Sequence, residues 1–257
     1  MNKIIFTGTS SGYPSKTRAC SSFVIKSVAK LYQFDAGEGV SGSIQRCKLD
    51  ANEIDRIFIS HLHPDHITGL FLELQMMYLD NRKKPLNIYI PREATKGLEK
   101  TVDLFYLFRG KFPFKFDFLP IGSNPVFRGK EITVNAYPNL HLAGNKPVIK
   151  KCRKSNKMQS FSYIIRCEGK NVLYSGDLTE QDDIGGLLKG IHTAIVEGLH
   201  VDLQSLFRAC MTRKVKRLVL THLPDETLKK PRRILKIAEK AGFKQPIIAF
   251  DGLQLKI

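Results

Sequence analysis

Seven consecutive residues, Ser60-His61-Leu62-His63-Pro64-Asp65-His66, follow directly on the apolar run Ile57-Phe58-Ile59. Three imidazoles and a carboxylate fall within six positions. His61 and His63 are two apart, so an extended segment directs them the same way. Asp65 and His66 follow where the chain must turn into a helix, and they face a different point. That arrangement suits two metal ions side by side better than one. Imidazole and carboxylate donors select zinc, with manganese and iron as borderline cases. Only seven histidines occur in 257 residues, so three of them in one run do not read as a scatter of surface side chains.

A binuclear centre needs more ligands than these four. The remaining histidines are His141, His192, His200 and His222. Three further positions place a metal-binding side chain directly after an apolar run: His141 after Pro138-Asn139-Leu140, Asp177 after Tyr174-Ser175-Gly176, and His222 after Leu218-Val219-Leu220-Thr221. Side chains at strand ends can converge on one edge of a sheet sandwich. Asp177 is the natural bridge, because each carboxylate oxygen can take one cation.

The rest of the chain reads as short apolar strands mixed with helices. Strands are expected at 4–7, 23–25, 31–34, 57–60, 86–90, 132–134, 161–166, 172–174, 194–196 and 218–220. Helices are expected at 68–79, 94–108, 203–212 and 226–241, the last stopped by Gly242. Residues 247–250 and 253–257 are expected to close the chain as a hairpin around Asp251-Gly252. With 42% hydrophobic and 25% charged residues a disordered or fibrous chain is excluded. No repeat and no linker divides the sequence, so residues 1–257 read as a single α/β (α+β) domain of two sheets with helices outside. No apolar run is long enough to span a bilayer, and Met1-Asn2-Lys3-Ile4-Ile5-Phe6 lacks the features of a signal peptide. Five cysteines, an odd number with no CxxC pair, fit a reducing compartment better than a disulfide scaffold. A cytoplasmic protein without membrane partners is the expectation.

The run His61-Leu62-His63-Pro64-Asp65-His66, followed by His141, Asp177 and His222, resembles the metallo-β-lactamase superfamily along nearly the whole chain. The resemblance implies a four-layer αββα sandwich and two zinc ions. His61, His63 and His141 would hold one; Asp65, His66 and His222 would hold the other, with Asp177 bridging. Two further stretches resemble the ribonuclease Z (tRNase Z) branch. One is 8–19, where Pro14, Lys16 and Arg18 match its Pro-x-Lys-x-Arg-Asn signature and Ala19 replaces the Asn. The other is Phe34-Asp35-Ala36-Gly37-Glu38-Gly39. In that branch a histidine about two dozen residues before the last metal ligand acts as proton donor, and His200 stands at that spacing from His222. Asp65 would orient or deprotonate the nucleophile. His192 fits no motif and reads as structural or surface.

The sequence also departs from that branch. The gap from His141 to Asp177 has no room for the long arm that grips tRNA. It holds a basic loop, 146–157, carrying Lys150, Lys151, Arg153 and Lys154 and no acid. The branch's His-Glu-Ala-Thr motif is reduced to Val196-Glu197-Gly198-Leu199. The glycines of 8–12 lack the ending of a nucleotide P-loop and read as a tight turn. The cations of 229–240 read as a solvated face.

Lys and Arg number 41 against 24 acids, a net charge of +17, which favours a polyanionic partner. The expected function is therefore a zinc-dependent phosphodiesterase. It is taken as a tRNase Z-like endoribonuclease that cleaves RNA 3′ ends to leave 3′-hydroxyl and 5′-phosphate, with a tRNA precursor as partner and a homodimer as the assembly. Lys16, Arg18, Lys150, Lys151, Arg153 and Lys154 are its expected phosphate contacts. A small-substrate phosphodiesterase on the same fold, acting for instance on cyclic nucleotides, is the alternative. A nucleic-acid binder with a degenerate metal site is a third reading, against which the full ligand set argues.

Overall fold

Among the described residues, 2–28 and 30–257 of a computed structural model, two seven-stranded mixed sheets carry the apolar runs. Each belongs to one compact unit: Met1–Gly122 with Phe250–Ile257, and Ser123–Ala249.

The first unit contains β1 (Lys3–Gly8), β2 (Ser22–Lys26), β3 (Leu31–Phe34), α1 (Val40–Arg46), β4 (Ile54–Phe58), α2 (Pro64–Ile67), α3 (Gly69–Leu79), β5 (Leu86–Ile90), α4 (Thr95–Leu104), β6 (Phe116–Pro120) and β14 (Gln254–Lys256). Its sheet runs β14-β1-β2-β3-β4-β5-β6. The pairs from β14 to β3 are antiparallel and those from β3 to β6 are parallel. Alternation along the strands separates two faces. On one face, Ile57, Ile59 and Ile88 join Val40 and Ile44 of α1, Leu70, Leu74 and Met77 of α3, and Leu98 and Val102 of α4 in a dry core. On the other, Phe6, Phe23, Phe34, Phe58 and Tyr89 occupy one row across five strands. The rings from Phe23 to Tyr89 stack at 4.9–5.0 Å. Such cross-strand pairs fix register, and the row lies immediately before the strand ends that carry Asp35 and His61.

The second unit contains β7 (Phe127–Arg128), β8 (Ile132–Pro138), α5 (Lys146–Lys151), β9 (Phe161–Cys167), β10 (Lys170–Tyr174), β11 (Thr193–Glu197), α6 (Leu203–Thr212), β12 (Arg217–Thr221), α7 (Asp225–Leu228), α8 (Pro231–Lys240) and β13 (Ile247–Ile248). Its sheet, β13-β12-β11-β10-β9-β8-β7, is parallel from β13 to β10 and antiparallel onward. Leu206, Phe207 and Cys210 of α6 and Ile234 and Ala238 of α8 pack on Ala194, Val196, Leu218 and Leu220.

Four expectations are corrected. The helix expected over 94–108 ends at Leu104, where the chain turns back through Tyr106 at φ +60° so that Leu107 is buried and its N–H reaches Val102 O. The last helix is two helices, because Pro231 has no N–H to continue the first and restricts Lys230 before it. Residues 247–257 do not form a hairpin: β13 pairs with β12 and β14 with β1, in different sheets. The basic segment 146–157 is not all loop, since α5 occupies its first half.

Glu73 lies on α3, fully buried. Burial pushes its carboxyl from 4.5 up to about 7, opposed by the Gln33 hydrogen bond and by Arg82. The folded state thus retains a proton that the unfolded chain releases. Its contribution to stability is complete below pH 4.5 and is lost as pH rises to about 7. Glu73→Gln, which cannot ionise, is expected to remove that loss. Relative to wild type, its melting temperature should rise progressively between pH 4.5 and 7, as followed by circular dichroism.

Candidate metal centre

In each unit the site residues emerge at the C-terminal ends of strands that run in one direction, the sheet edge where α/β folds place their ligands. In the first unit this edge carries Asp35 after β3 and Ser60 to His66 after β4. The backbone stays extended to His63 (φ −64°, ψ 145°), and α2 begins at Pro64, a residue suited to the first helical turn. His61 and His63 therefore leave an extended segment, while Asp65 and His66 leave a helix. Their donor atoms are close: those of His61 and His63 lie within 4.8 Å of each other, as do those of Asp65 and His66. The His61 ring centroid is 4.8 Å from that of His63 and 4.1 Å from that of His66.

Asp35 organises this edge. Its Oδ1 accepts from Ser60 N at 2.6 Å and its Oδ2 from Ser60 Oγ at 2.8 Å. Oδ2 also lies 2.7 Å from His66 Nδ1. Because Ser60 Oγ donates to Asp35, it accepts from His61 Nδ1 at 3.0 Å. One carboxylate thus sets both rings as Nδ1–H tautomers, directly at His66 and through Ser60 at His61. Nε2 is then the lone-pair nitrogen in each, which is how metal-binding histidines are prepared. Asp35 sits at φ +56°, a left-handed conformation that costs an L-residue about 1 kcal/mol or more. Asp35 N donating to Phe58 O at 2.8 Å and Gln33 Nε2 donating to Asp35 O at 3.1 Å hold it there. Gly37 permits the tight approach of α2, since a Cβ there would stand 2.2 Å from Asp65 O.

In the second unit, His141 follows β8, Asp177 follows β10, His200 follows β11 and His222 follows β12. His222 Nε2 is 3.3 Å and His141 Nε2 is 3.7 Å from the same oxygen, Asp177 Oδ2. Asp177 therefore stands between two imidazoles, the place of a bridging carboxylate. His141 Nδ1–H donates to Leu178 O at 3.2 Å, so here too Nε2 has the lone pair. Asn139 joins the two segments, donating to Asp177 O at 3.1 Å and accepting from His141 N at 3.2 Å. His222, like Asp35, is left-handed at φ +56°.

His200 belongs to the same edge. Its ring lies 5.2 Å from that of His141 and 6.2 Å from that of His222. Buried Glu197 accepts from Leu199 N at 2.6 Å and His200 N at 2.9 Å, and its Oε1 lies 3.2 Å from His200 Nδ1. His192 lies elsewhere, beside Thr193 Oγ1 at 3.0 Å, with its pKa lowered by burial and nearby Lys and Arg side chains.

The expected phosphate contacts are more dispersed. Lys16 is exposed, whereas Arg18 donates to Thr9 O at 2.7 Å and braces its own loop. That loop is clasped by Asp251, which accepts from Thr9 Oγ1 at 2.8 Å and Ala19 N at 2.7 Å. Its Gly12 approaches the metal-binding run, since a Cβ there would lie 3.4 Å from Asp65 Oδ2. Lys150 and Lys151 on α5, and Arg153 and Lys154 just beyond it, are all exposed. Burial, then Asp65 and Glu38, push the Cys20 thiol up to about 11. The signals passed over in the sequence are Asp35 and Glu197, which lay inside recognised motifs without a role, and Ser60, Asn139 and Asp251.

Imidazole and carboxylate donors with buried second partners fit divalent cations of the zinc, manganese and iron group. Comparison with known proteins agrees. The fold is that of the metallo-β-lactamase superfamily. The metallo-β-lactamase fold protein YhfI from Bacillus subtilis superposes with a TM-score of 0.79 at 18% identity, over 100% of both chains. Human tRNase Z, short form, superposes at 0.74 with 22% identity, over 99% of both. A ribonuclease Z of Methanosarcina acetivorans is 26% identical across 100% of this chain and 98% of its own length. That alignment needs 306 positions to place 257 residues, so the relative carries insertions that this chain lacks. The profile described as "Anti-Pycsar protein Apyc1" matches residues 2–241, and the chain belongs to that family.

If Asp35 sets the tautomers of His61 and His66, Asp35→Asn should weaken metal binding. Asn tolerates the left-handed backbone but cannot accept from Ser60 and His66 as a carboxylate does. Affinity for Zn²⁺, measured by chelator competition, is expected to fall about 10–100-fold with the circular dichroism spectrum unchanged.

Proposed function

We propose that the chain is a two-metal phosphodiesterase. Residues 1–257 are taken to act as one catalytic domain. His61, His63 and His141 would hold one ion and Asp65, His66 and His222 the other, with Asp177 shared. Zinc suits this donor set best. The observation that carries the reading is the preparation of His61, His66 and His141, each presenting Nε2 because its Nδ1 is engaged by a protein oxygen.

When bound, such a pair of cations supplies Lewis acidity toward phosphoryl oxygens and makes water acidic enough to attack near neutral pH. Asp65 orients or deprotonates that water. His200 delivers a proton to the leaving oxygen, and Glu197 holds its Nδ1 side and stabilises the imidazolium. With water as the nucleophile and the ribose 3′-oxygen as the leaving group, RNA cleavage would leave a 3′-hydroxyl and a 5′-phosphate. Lys16, with Arg18, Lys150, Lys151, Arg153 and Lys154, would supply cationic contacts to the substrate.

Two substrates are in view. The relatives named ribonuclease Z and the net charge of +17 favour the 3′ end of a tRNA precursor. One observation favours a small diester such as a cyclic nucleotide: between His141 and β9 the chain carries only α5 and short flanking turns, with no gripping arm. A second copy of the chain is the proposed partner for a groove lined by Tyr78, Leu79, Phe105 and Tyr106, where Tyr106 is 72% exposed. Among the described residues no helix is long and apolar enough to cross a membrane, and five free thiols suit the proposed cytoplasmic setting.

A side-by-side assay decides the substrate. With Zn²⁺ or Mn²⁺ the protein is expected to hydrolyse bis(p-nitrophenyl) phosphate. Preference for a 3′-extended tRNA supports the ribonuclease reading, and preference for cyclic nucleotides supports the other. No hydrolysis of any diester by metal-loaded protein would contradict both.

His200→Ala distinguishes a proton donor from a ligand. An alkyl leaving group needs the proton and a nitrophenolate does not. Turnover of the natural-type diester should drop about 10²–10⁴-fold, while bis(p-nitrophenyl) phosphate and bound metal stay near wild type. Equal losses on both substrates with lost metal would assign His200 to the ligand set.

A further inference from the structure

The hydrolytic reading leaves Glu73 without a task. A carboxyl group buried on an otherwise apolar face of α3 is unfavourable unless something requires it. Its partner is Gln33, a fully buried residue of β3. Gln33 Nε2 donates to Glu73 Oε2 at 2.9 Å and to Asp35 O at 3.1 Å. Both N–H bonds of the amide are thereby committed. One ties it to α3 and the other to the carbonyl of the left-handed residue whose side chain holds His66.

A second observation concerns protons. Among the described residues, Glu73 Oε1 and Gln33 Oε1 are both buried and meet no hydrogen-bond partner. A proton on Glu73 would turn one of these two acceptors into a donor. A neutral acid and an amide are complementary on both edges, each offering one donor and one acceptor. Burial favours that neutral form. Arg82 is the charged group that acts on Glu73, and its guanidinium is spent on the backbone oxygens of Ala51, Asn52, Ile54, Lys84 and Pro85.

We propose that Glu73 is a positioning residue for the metal centre: through Gln33 it holds the left-handed turn at Asp35, and through Asp35 the tautomer and orientation of His66. The connection from Glu73 to His66 runs through Gln33 and Asp35, from a helix interior to a metal-binding edge. Loss of the brace frees the Asp35 carbonyl, lets its backbone relax, and loosens the carboxylate that fixes the imidazole. The proposal rests on His66 being a ligand.

Glu73→Leu and Glu73→Gln separate positioning from simple packing. Leucine keeps the helix and the burial but removes the acceptor; glutamine keeps an acceptor and a donor. The long-range ¹⁵N–¹H spectrum of the metal-free protein, recorded below and above the Glu73 titration at about 7, reports the His66 tautomer without any activity. Wild type and Glu73→Gln are expected to show a single Nδ1–H form, and Glu73→Leu a mixture. Zn²⁺ affinity by chelator competition should then fall about 10–100-fold for one of two ions in Glu73→Leu alone. Gln33→Leu cuts the same link from the strand side and should reproduce the mixture, so the test survives if Glu73→Leu does not fold. A folded Glu73→Leu or Gln33→Leu with the wild-type His66 spectrum and affinity would overturn the proposal, as would equal losses in Glu73→Gln. Wild-type protein that binds no Zn²⁺ would instead defeat the two-metal reading, with the tautomer comparison still deciding this one.

Discussion

A single buried carboxylate governs the metal-binding edge of the first unit. Asp35 accepts from the Ser60 amide and hydroxyl and from His66, and through Ser60 it reaches His61. In the proposed two-metal site those two histidines would serve different ions. One group therefore sets the lone-pair direction of both rings, in a fully buried setting where each hydrogen bond is strong. Its left-handed backbone is the local strain that this requires, and the surrounding strand ends hold it in place. The stacked row of Phe23, Phe34, Phe58 and Tyr89 locks β3 and β4 in the register that brings Asp35 beside Ser60.

The second unit solves the same problem with different parts. Backbone carbonyls and an amide side chain do there what Asp35 does in the first. Leu178 O takes His141 Nδ1–H, and Asn139 ties the His141 and Asp177 segments together. Both sheets are half antiparallel and half parallel, and both send their ligands from strand ends on one edge. Placing ligands there leaves the strands free to be almost wholly apolar. Function rests on short loops held by rigid scaffolding, and the two left-handed ligand-edge residues, Asp35 and His222, mark where the backbone yields.

Much of this was legible in sequence because the ligands are local. His61 to His66 form one run, and His141, Asp177 and His222 each close an apolar strand. The helix Leu203–Thr212 has the expected bounds, and the structure shows Asp202 capping its start by accepting from Ser205 N. Other features depend on distant partners. The Gln33–Glu73 hydrogen bond joins residues 40 apart, and nothing in either neighbourhood announces it. Whether Ile247-Ile248 and Gln254–Lys256 pair with each other or with separate sheets is decided by tertiary contacts, not by the turn at Asp251-Gly252. The break before α8 was available at Pro231, but the charge pattern of 229–240 masked it. Glu197 was read as the remnant of a motif, although its spacing of three from His200 is what lets one carboxylate hold both the backbone and the ring.

The central claim, the proposed pair of cations, is tested most directly by anomalous diffraction at the zinc edge from crystals grown with Zn²⁺. Two peaks per chain are predicted, one on His61, His63 and His141 and the other on Asp65, His66 and His222, with Asp177 between them. A single peak, none, or peaks on other side chains would contradict it.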